Sequence, residues 1–279
     1  MMPSFRAARE LIAFYVDSGA DALIGETPVD RMAETAAVGG AQSSGLTARV
    51  SEKPARTARA EPRAFAQAPA AQRPSPPASP EAAIMAARAA ATDAKTLEEL
   101  RALLAAFEGC ALRTTATQLV FADGNPQGRV MFVGEAPGYD EDIVGRPFVG
   151  RSGKRLDLMM AAIKLDRETA YIANVVPWRP PGNRTPTPQE SQICLPFLKR
   201  QIELADPDIL VCLGGPSATA LLGMTDGIRK FRGRWRTYHT GTREIRAIAS
   251  FHPSYLLRSP LEKRFAWRDF QAIRAALAA

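Results

Sequence analysis

The chain has 279 residues, 46% of them hydrophobic and 23% charged, which is enough for one core of ordinary domain size plus additional segments. Lysine and arginine outnumber aspartate and glutamate by 36 to 29, a balance that suits a polyanionic partner but does not require one. Three scattered cysteines exclude a disulfide framework and favour a reducing compartment. No apolar run approaches the roughly 20 residues that span a bilayer, and acidic residues such as Glu10 and Asp17 argue against a signal peptide. We therefore expect a cytoplasmic protein without membrane association.

The N-terminal third contains two segments of different composition. Residues 4–17 place Phe5, Leu11 and other apolar side chains on one helical face, which predicts a helix within an N-terminal helical segment, 1–36. Residues 37–91 are rich in alanine and proline and poor in branched and aromatic side chains, so we expect a disordered linker. The N-terminal helix can dock on the rest of the chain or on an unknown protein, and the sequence does not decide between these.

From residue 92 to residue 279 the pattern alternates between apolar strands and helices. Thr187 and Glu190 have capping-box spacing around Pro188, which marks the start of one of these helices. The predicted strands are 129–135, 170–176, 208–215 and 243–251, and the predicted helices are 153–163, 188–204, a short one ending near Gly223 and one from Pro260 onward. Four apolar strands separated by helices predict a three-layer α/β/α fold with a central four-stranded parallel sheet.

Each predicted strand leads directly into a loop rich in glycine and proline. The carboxyl ends of parallel strands meet at one edge of a sheet, where ligands bind, so these loops bring polar side chains to a common rim. The loops are GEAPGYDEDIVGRPFVG (134–150), NVVPWRPPGNRTPTP (174–188), GGPSA (214–218) and HPSYLLR (252–258), and the polar candidates are Glu135, Glu141, Asn174 and His252.

Two common nucleotide-binding motifs do not fit the first loop. Phe148 stands where a P-loop before Gly153 and Lys154 would require its first glycine. The glycines of 134–138 do not form a dinucleotide fingerprint either. The sequence therefore disfavours nucleotide hydrolysis and dinucleotide binding.

Three of these segments, GEAPGYDEDIVGRPFVGRSG, NVVPWRPPGNRTPTP and HPSYLLR, closely resemble the three motif regions of family 4 uracil-DNA glycosylases. The resemblance runs in unbroken order over about residues 98–279, and AFYVDSGADALIGETPVD is similar to the leader of many proteobacterial members. It implies an enzyme that flips uracil out of DNA and hydrolyses the bond between deoxyribose C1′ and uracil N1, which leaves an abasic site for base excision repair. Uracil-containing DNA is then the expected partner, and we expect a monomer.

The resemblance also implies roles for rim residues. His252, one of two histidines, is expected to hydrogen-bond uracil O2 as negative charge develops. Phe148 is expected to stack on the flipped base, and Asn174 to read its Watson–Crick edge, because an amide accepts from N3–H and donates to O4. Core packing is the alternative for Phe148, and turn capping is the alternative for Asn174.

Activation of the water molecule is less determined by the resemblance. The best-known uracil glycosylases have an aspartate two residues after the first motif glycine, where this chain has Ala136, a residue we place in the uracil-binding loop. Glu141 is our first candidate to orient water or to stabilise the sugar cation, and Glu135 is the second. Either glutamate can instead order the loop by accepting backbone N–H groups.

DNA is expected to be gripped by the motif loops. Tyr255, Leu256 and Leu257 form an apolar wedge for the gap left by the flipped base, with the alternative that the leucines begin the buried face of the last helix. The expected phosphate contacts are Arg151, Arg184 and Arg258.

Members of this family usually hold a [4Fe–4S] cluster with four cysteine thiolates. The corresponding positions here are Phe107, Cys110, Trp178 and Cys194, so two of four ligands are replaced by large apolar side chains. We therefore expect neither a cluster nor another metal or cofactor, with apolar packing in its place.

Two other hypotheses come from different functional classes. A non-catalytic DNA-binding relative is disfavoured because the rim residues of the family are retained together. A relative that traps uracil-DNA covalently uses a histidine in an inserted basic loop, and PPGNRTPTP contains no histidine.

Overall fold

Residues 79–278 are described by a computed structural model; the predicted N-terminal helical segment and the predicted linker up to residue 78 lie outside the described residues. Within 79–278, no helix is long and apolar enough to cross a membrane. The helices are α1 (Pro80–Asp93), α2 (Leu97–Ala106), α3 (Leu112–Thr115), α4 (Tyr139–Val144), α5 (Arg151–Ala161), α6 (Pro188–Ala205), α7 (Gly215–Leu222), α8 (Ile228–Phe231), α9 (Pro253–Arg258) and α10 (Lys263–Ala278). The strands are β1 (Asp123–Gly124), β2 (Val130–Gly134), β3 (Ala170–Asn174), β4 (Ile209–Leu213), β5 (Trp235–His239) and β6 (Glu244–Ser250).

The four predicted strands are confirmed as β2, β3, β4 and β6, which are parallel and lie side by side in the order β3-β2-β4-β6. Every residue of β2, β3 and β4 is buried, as expected for strands covered by helices on both faces. The predicted number of strands is wrong, because the described sheet has six. β1 pairs antiparallel with β3 at one edge, and β5 pairs antiparallel with β6 at the other. β1 has two residues and β5 (WRTYH) is mostly exposed and polar, so neither shows the apolar run that marks a buried strand.

Side chains of β2 alternate between two apolar cores. Met131 and Val133 face the core formed with α1, α2, α6 and α7. Val130 and Phe132 face the core formed with α5 and α10, where the Phe132 ring stacks on Phe270 with centroids 5.9 Å apart. The predicted three-layer arrangement is confirmed.

The start of α6 lies where the capping box predicts it. The Glu190 backbone N–H donates to Thr187 Oγ1 at 3.2 Å, and the Thr187 backbone N–H donates to Glu190 Oε2 at 2.7 Å. Each side chain satisfies a backbone N–H that the helix cannot, which fixes the end of the loop between β3 and α6.

The predicted domain start at residue 92 is too late. Residues 80–91 belong to α1, which begins after the N-cap Ser79 and packs along α6 instead of continuing the linker. Ala83, Ala87 and Ala91, four residues apart, form its buried face. Alanine-rich sequence does not distinguish a linker from a helix, because alanine is frequent in linkers and is also the best helix former. In α1 the small alanine side chains let the helix backbone approach α6 closely.

We predict that Ala87→Asp lowers the free energy of unfolding of the full chain by about 2–4 kcal/mol, because an unpaired carboxylate is then buried against α6. Thermal unfolding monitored by circular dichroism measures this. Met85→Asp is the matched control, since Met85 is 61% exposed on the same helix, and should stay within about 0.5 kcal/mol of wild type. Equal effects of the two substitutions would contradict the packing of α1 on α6.

Candidate functional site

The loop between β2 and α5 is held together by the Glu141 carboxylate. Its Oε2 accepts the Gly138 N–H at 3.0 Å, and its Oε1 accepts the N–H groups of Val149 at 3.0 Å and Gly150 at 2.9 Å. Glu141 is only 7% exposed. Both carboxylate oxygens are thus occupied by backbone donors, and they tie the beginning of the loop to its end.

Phe148 lies within this loop in a left-handed conformation, with φ of 56°. Its carbonyl oxygen accepts a hydrogen bond from Arg167, and a Cβ at Gly153 would lie 1.7 Å from that oxygen. A Cβ at Gly134 would lie 2.4 Å from Asn174 Oδ1 and 2.6 Å from the Phe148 ring. Two glycines therefore make room for the loop and for the close approach of Phe148 to Asn174 at the ends of β2 and β3.

His252 is the N-cap of α9, just beyond the carboxyl end of β6. Its Nδ1 accepts the Ser254 backbone N–H at 3.2 Å and lies 2.8 Å from Ser254 Oγ. A nitrogen that accepts a hydrogen bond carries no proton, so the neutral imidazole has its proton on Nε2. The ring lies beside Phe148, with centroids 5.5 Å apart and an angle of 32° between the planes.

The imidazole of His252 is neutral at physiological pH. Burial, with a smaller contribution from the positive charge of Arg258, lowers the pKa of His252 from 6.5 to about 4. Burial also raises the pKa of the Glu135 carboxyl, and a hydrogen bond from Thr185 partly offsets that increase. The site therefore offers an uncharged N–H donor and a carboxyl group with increased proton affinity.

One cavity of about 490 Å³ contains most of the predicted site residues. Larger grooves of about 650 and 710 Å³ elsewhere on the described chain contain none of them. The predicted residues that line the cavity are Glu135, Ala136, Glu141, Phe148, Asn174, Arg184, His252 and Arg258, and those that sequence reasoning missed are Pro137, Gly138, Ser152, Asn183, Thr185, Pro186 and Ser254. All the missed residues lie in or beside the motif loops, so their positions within those loops were the available signal.

Comparison with known proteins identifies the family. A sequence profile of the uracil DNA glycosylase superfamily matches residues 121–271, which include the three motif segments. The type-4 uracil-DNA glycosylase of Thermotoga maritima is 47% identical over 154 residues, which cover 54% of this chain and 77% of the relative. The chain belongs to the type-4 uracil-DNA glycosylase family. The type-4 uracil-DNA glycosylase of Archaeoglobus fulgidus is 40% identical over 168 residues, which cover 59% of this chain and 84% of the relative. That of Sulfurisphaera tokodaii is 37% identical over 184 residues, which cover 64% of this chain and 84% of the relative.

Among the residues of this glycosylase predicted to contact DNA, Leu256 is placed elsewhere. It is 1% exposed and packs with Phe251 and Ala266, so it cannot enter a base step and its predicted role in the wedge is wrong. The first turn of α9 directs this side chain toward the core; its burial agrees with the stated alternative, although it occurs in α9 and not in the last helix. Leu257 and Tyr255 keep partial exposure. Of the three arginines, Arg151 is exposed at the start of α5, while Arg184 and Arg258 line the cavity.

The family's cluster positions do not fit an iron–sulfur cluster in this glycosylase. The only thiols there are Cys110 and Cys194, whose Sγ atoms are 3.9 Å apart. Phe107 packs edge-to-face on Phe197 with centroids 5.1 Å apart, and Trp178 is fully buried. Within residues 79–278, no three histidine, cysteine, aspartate or glutamate side chains are grouped to hold a metal ion. Two thiols and two aromatic side chains at these positions do not provide the four ligands that a [4Fe–4S] cluster requires.

We predict that Glu141→Gln lowers the free energy of unfolding by about 2–3 kcal/mol, because one carboxylate oxygen that accepts backbone N–H groups is replaced by an amide donor. Urea unfolding measures the change, and Asp140→Asn, an exposed acidic residue of the same helix, is the control. An inactive Glu141→Gln variant of native stability would instead support a direct chemical role.

We predict that the His252 imidazole stays neutral as the pH falls from 8 to about 5 and titrates near 4. In the unfolded chain the same group binds a proton near pH 6.5, so its contribution to folding stability is lost as the pH falls from about 6.5 toward 4. Long-range ¹H–¹⁵N spectra of the His239→Gln variant, which retains one histidine, follow this titration directly. A midpoint near 6.5 would contradict a lowered pKa of His252 in the cavity.

Proposed function

We propose that this protein removes uracil from DNA by hydrolysing the N-glycosidic bond and leaves an abasic site. The observation that carries the proposal is the convergence of Phe148, Asn174 and His252 on one cavity at the carboxyl ends of parallel strands. Each comes from a different motif loop and each offers a different interaction: an aromatic face, an amide and an uncharged N–H donor. Together they suit a planar base with alternating carbonyl and N–H groups.

Recognition of the flipped base depends on Phe148 and Asn174. The Phe148 ring offers a stacking surface in a backbone conformation held by the surrounding loop. Asn174 is buried at the end of β3 and lines the cavity, where a base edge that both donates and accepts can pair with both ends of its amide. Cytosine presents the opposite donor and acceptor at the same two atoms, which disfavours it.

His252 stabilises the leaving group. Its Nε2–H donates to uracil O2, and that hydrogen bond strengthens as negative charge moves onto the departing base. Because Nδ1 is engaged by Ser254, the ring keeps the tautomer that this role requires. The Arg258 guanidinium, which lines the same cavity, adds a favourable potential for the anion.

Glu135 is the carboxylate that activates the attacking water. It lines the cavity and its raised pKa increases its proton affinity, whereas the oxygens of Glu141 are occupied by backbone N–H groups. We therefore reverse the order of the two glutamates and assign loop ordering to Glu141. An ionised Glu135 also favours the positive charge that develops on the sugar. Ala136, the next residue, lines the cavity with an apolar methyl group and carries no carboxylate.

DNA binding is assigned to basic and apolar side chains around the cavity. Arg151, Arg184 and Arg258 contact phosphates, and the formal net charge of +7 favours association with the polyanion. The partly exposed Tyr255 and Leu257 fill the space vacated by the flipped base.

The enzyme works as a cytoplasmic monomer without a cluster or other cofactor in this proposal. Phe107 and Trp178 supply apolar packing where relatives supply thiolates, and the reaction assigned above is carried by side chains of the motif loops. The three cysteines are free thiols, as suits a reducing compartment. We expect the predicted N-terminal helical segment, 1–36, to dock on this domain or on another protein.

We predict that the protein, purified under anaerobic conditions and dialysed against a chelator, removes the single uracil from a labelled oligonucleotide. Alkali then breaks the strand at the abasic site, and the shortened strand is measured. His252→Ala should lower the single-turnover rate by about 100- to 1000-fold, because a donor to the developing anion is lost. His239→Ala, which changes the other histidine, is the matched control and should retain the wild-type rate.

The outcomes separate the two parts of the proposal. Folded wild-type protein that leaves uracil intact in single-stranded, U:G and U:A substrates would overturn the glycosylase activity and favour a DNA-binding relative. The anaerobic sample can instead contain stoichiometric iron and sulfide before dialysis and lose its activity after dialysis against the chelator. That result would overturn only the part of the proposal that needs no cofactor.

A further inference from the structure

The loop between β3 and α6 contributes four consecutive residues to the cavity, Asn183 to Pro186. Hydrogen bonds of the sheet do not fix these residues in place. A single 3₁₀ turn, Pro181–Asn183, forms its centre, and both Gly182 and Asn183 have positive φ, 64° and 56°. All residues of this turn are exposed. A loop of this kind needs an external contact to hold its side chains in place.

Arg179, a residue of the same loop, makes that contact with α4. Its Nε donates to Asn183 Oδ1 at 2.7 Å. Its Nη1 lies 3.8 Å from Asp142 Oδ2, and its guanidinium carbon lies 4.9 Å from the centre of the Tyr139 ring. The guanidinium thus contacts α4 through an ion pair and a cation–π contact, and it holds Asn183 of its own loop through a hydrogen bond.

The α4 end of this connection is rigid. Asp142 is 1% exposed, and its carboxylate accepts the Thr117 backbone N–H at 2.8 Å, the Thr117 hydroxyl at 2.9 Å and the Gln118 backbone N–H at 3.3 Å. Gln118 Nε2 in turn donates to the carbonyl oxygens of Asp142 and Ile143 at 3.0 and 2.7 Å. Arg179 is therefore fixed by a buried anchor, and the position of Asn183 depends on it.

Arginine has only hydrogen-bond donors, so the atom of the Asn183 amide that faces Arg179 must be the oxygen. Asn183 lines the cavity, so the amide nitrogen, with its two N–H groups, is the end left to bind an oxygen atom there. We propose that Arg179 is a positioning residue of the glycosylase reaction, which acts by holding the donor end of the Asn183 amide at the cavity. The inference rests on the proposed function, since the oxygen in question belongs to the sugar or to the attacking water near Glu135.

A double-mutant cycle on the single-turnover rate tests the inference in the full chain. We expect Arg179→Met to lower the rate by about 10-fold and Asn183→Ala by about 10- to 100-fold, since the loss of a well-oriented group costs rate rather than binding. The double variant should be no slower than Asn183→Ala, because Arg179 has nothing left to position. Arg179→Lys retains one cation and donor and should recover part of the rate.

Asn183→Asp provides a second readout. The carboxylate keeps the contact with Arg179 but presents an acceptor at the cavity in place of a donor, so we expect a rate at least as low as that of Asn183→Ala. Arg243→Met is the matched control. Arg243 contacts Asp206, Pro207 and Asp208 away from the cavity, so its loss should lower the melting temperature and leave the rate unchanged.

Three results would overturn the inference. The first is that Arg179→Met and Asn183→Ala lower the rate independently of each other. The second is that Arg179→Met raises KM and leaves the rate unchanged. The third is that Arg179→Met lowers stability and changes neither KM nor the rate. In each case wild-type protein still cleaves, so only the role of Arg179 fails. Wild-type protein that does not cleave overturns the proposed function and this inference with it.

Discussion

The buried carboxylate of Glu141 is the interaction on which the site depends most. The segment between Gly138 and Gly150, which connects β2 to α5, contains backbone N–H groups that lie close to the buried Glu141 side chain. Three of them are satisfied by this one side chain, and charge-assisted hydrogen bonds of this kind are stronger than those between neutral groups. Because both ends of the loop are fixed, Phe148 between them can hold a left-handed conformation, and α5 can begin immediately afterwards.

Burial shapes the chemistry of the site as well as its geometry. The same exclusion of water lowers the pKa of His252 and raises that of Glu135, since both shifts favour the uncharged form. A hydrogen bond from a neutral imidazole to a developing anion is stronger in such surroundings than it is in water. The cavity thus offers an uncharged N–H donor at the position where negative charge is proposed to develop.

At the family's cluster positions, aromatic side chains stand in place of two cysteines while the fold is retained. Phe107 and Trp178 join the apolar core that contains Phe197, and the two remaining thiols lie within the same core. Apolar side chains of sufficient volume fill the space with dispersion contacts in place of metal–ligand bonds. None of these residues lines the cavity of the rim residues, so their replacement leaves the proposed chemistry intact.

The sequence by itself determined the four parallel strands, the start of α6 and the family, because apolar runs, a capping box and three long motifs are local patterns. It also predicted the rim, since the carboxyl ends of parallel strands, which the motif loops follow, meet at one edge of a sheet. Only the tertiary structure decided which of two neighbouring leucines is buried, because one residue along a helix turns a side chain by about 100°. It likewise assigned loop ordering to Glu141, revealed α1 within alanine-rich sequence, and joined Arg179 to Asn183. The physical reason is the same in each case: spacing along the chain defines a local conformation, whereas hydrogen-bond partners and burial depend on segments that are distant in sequence.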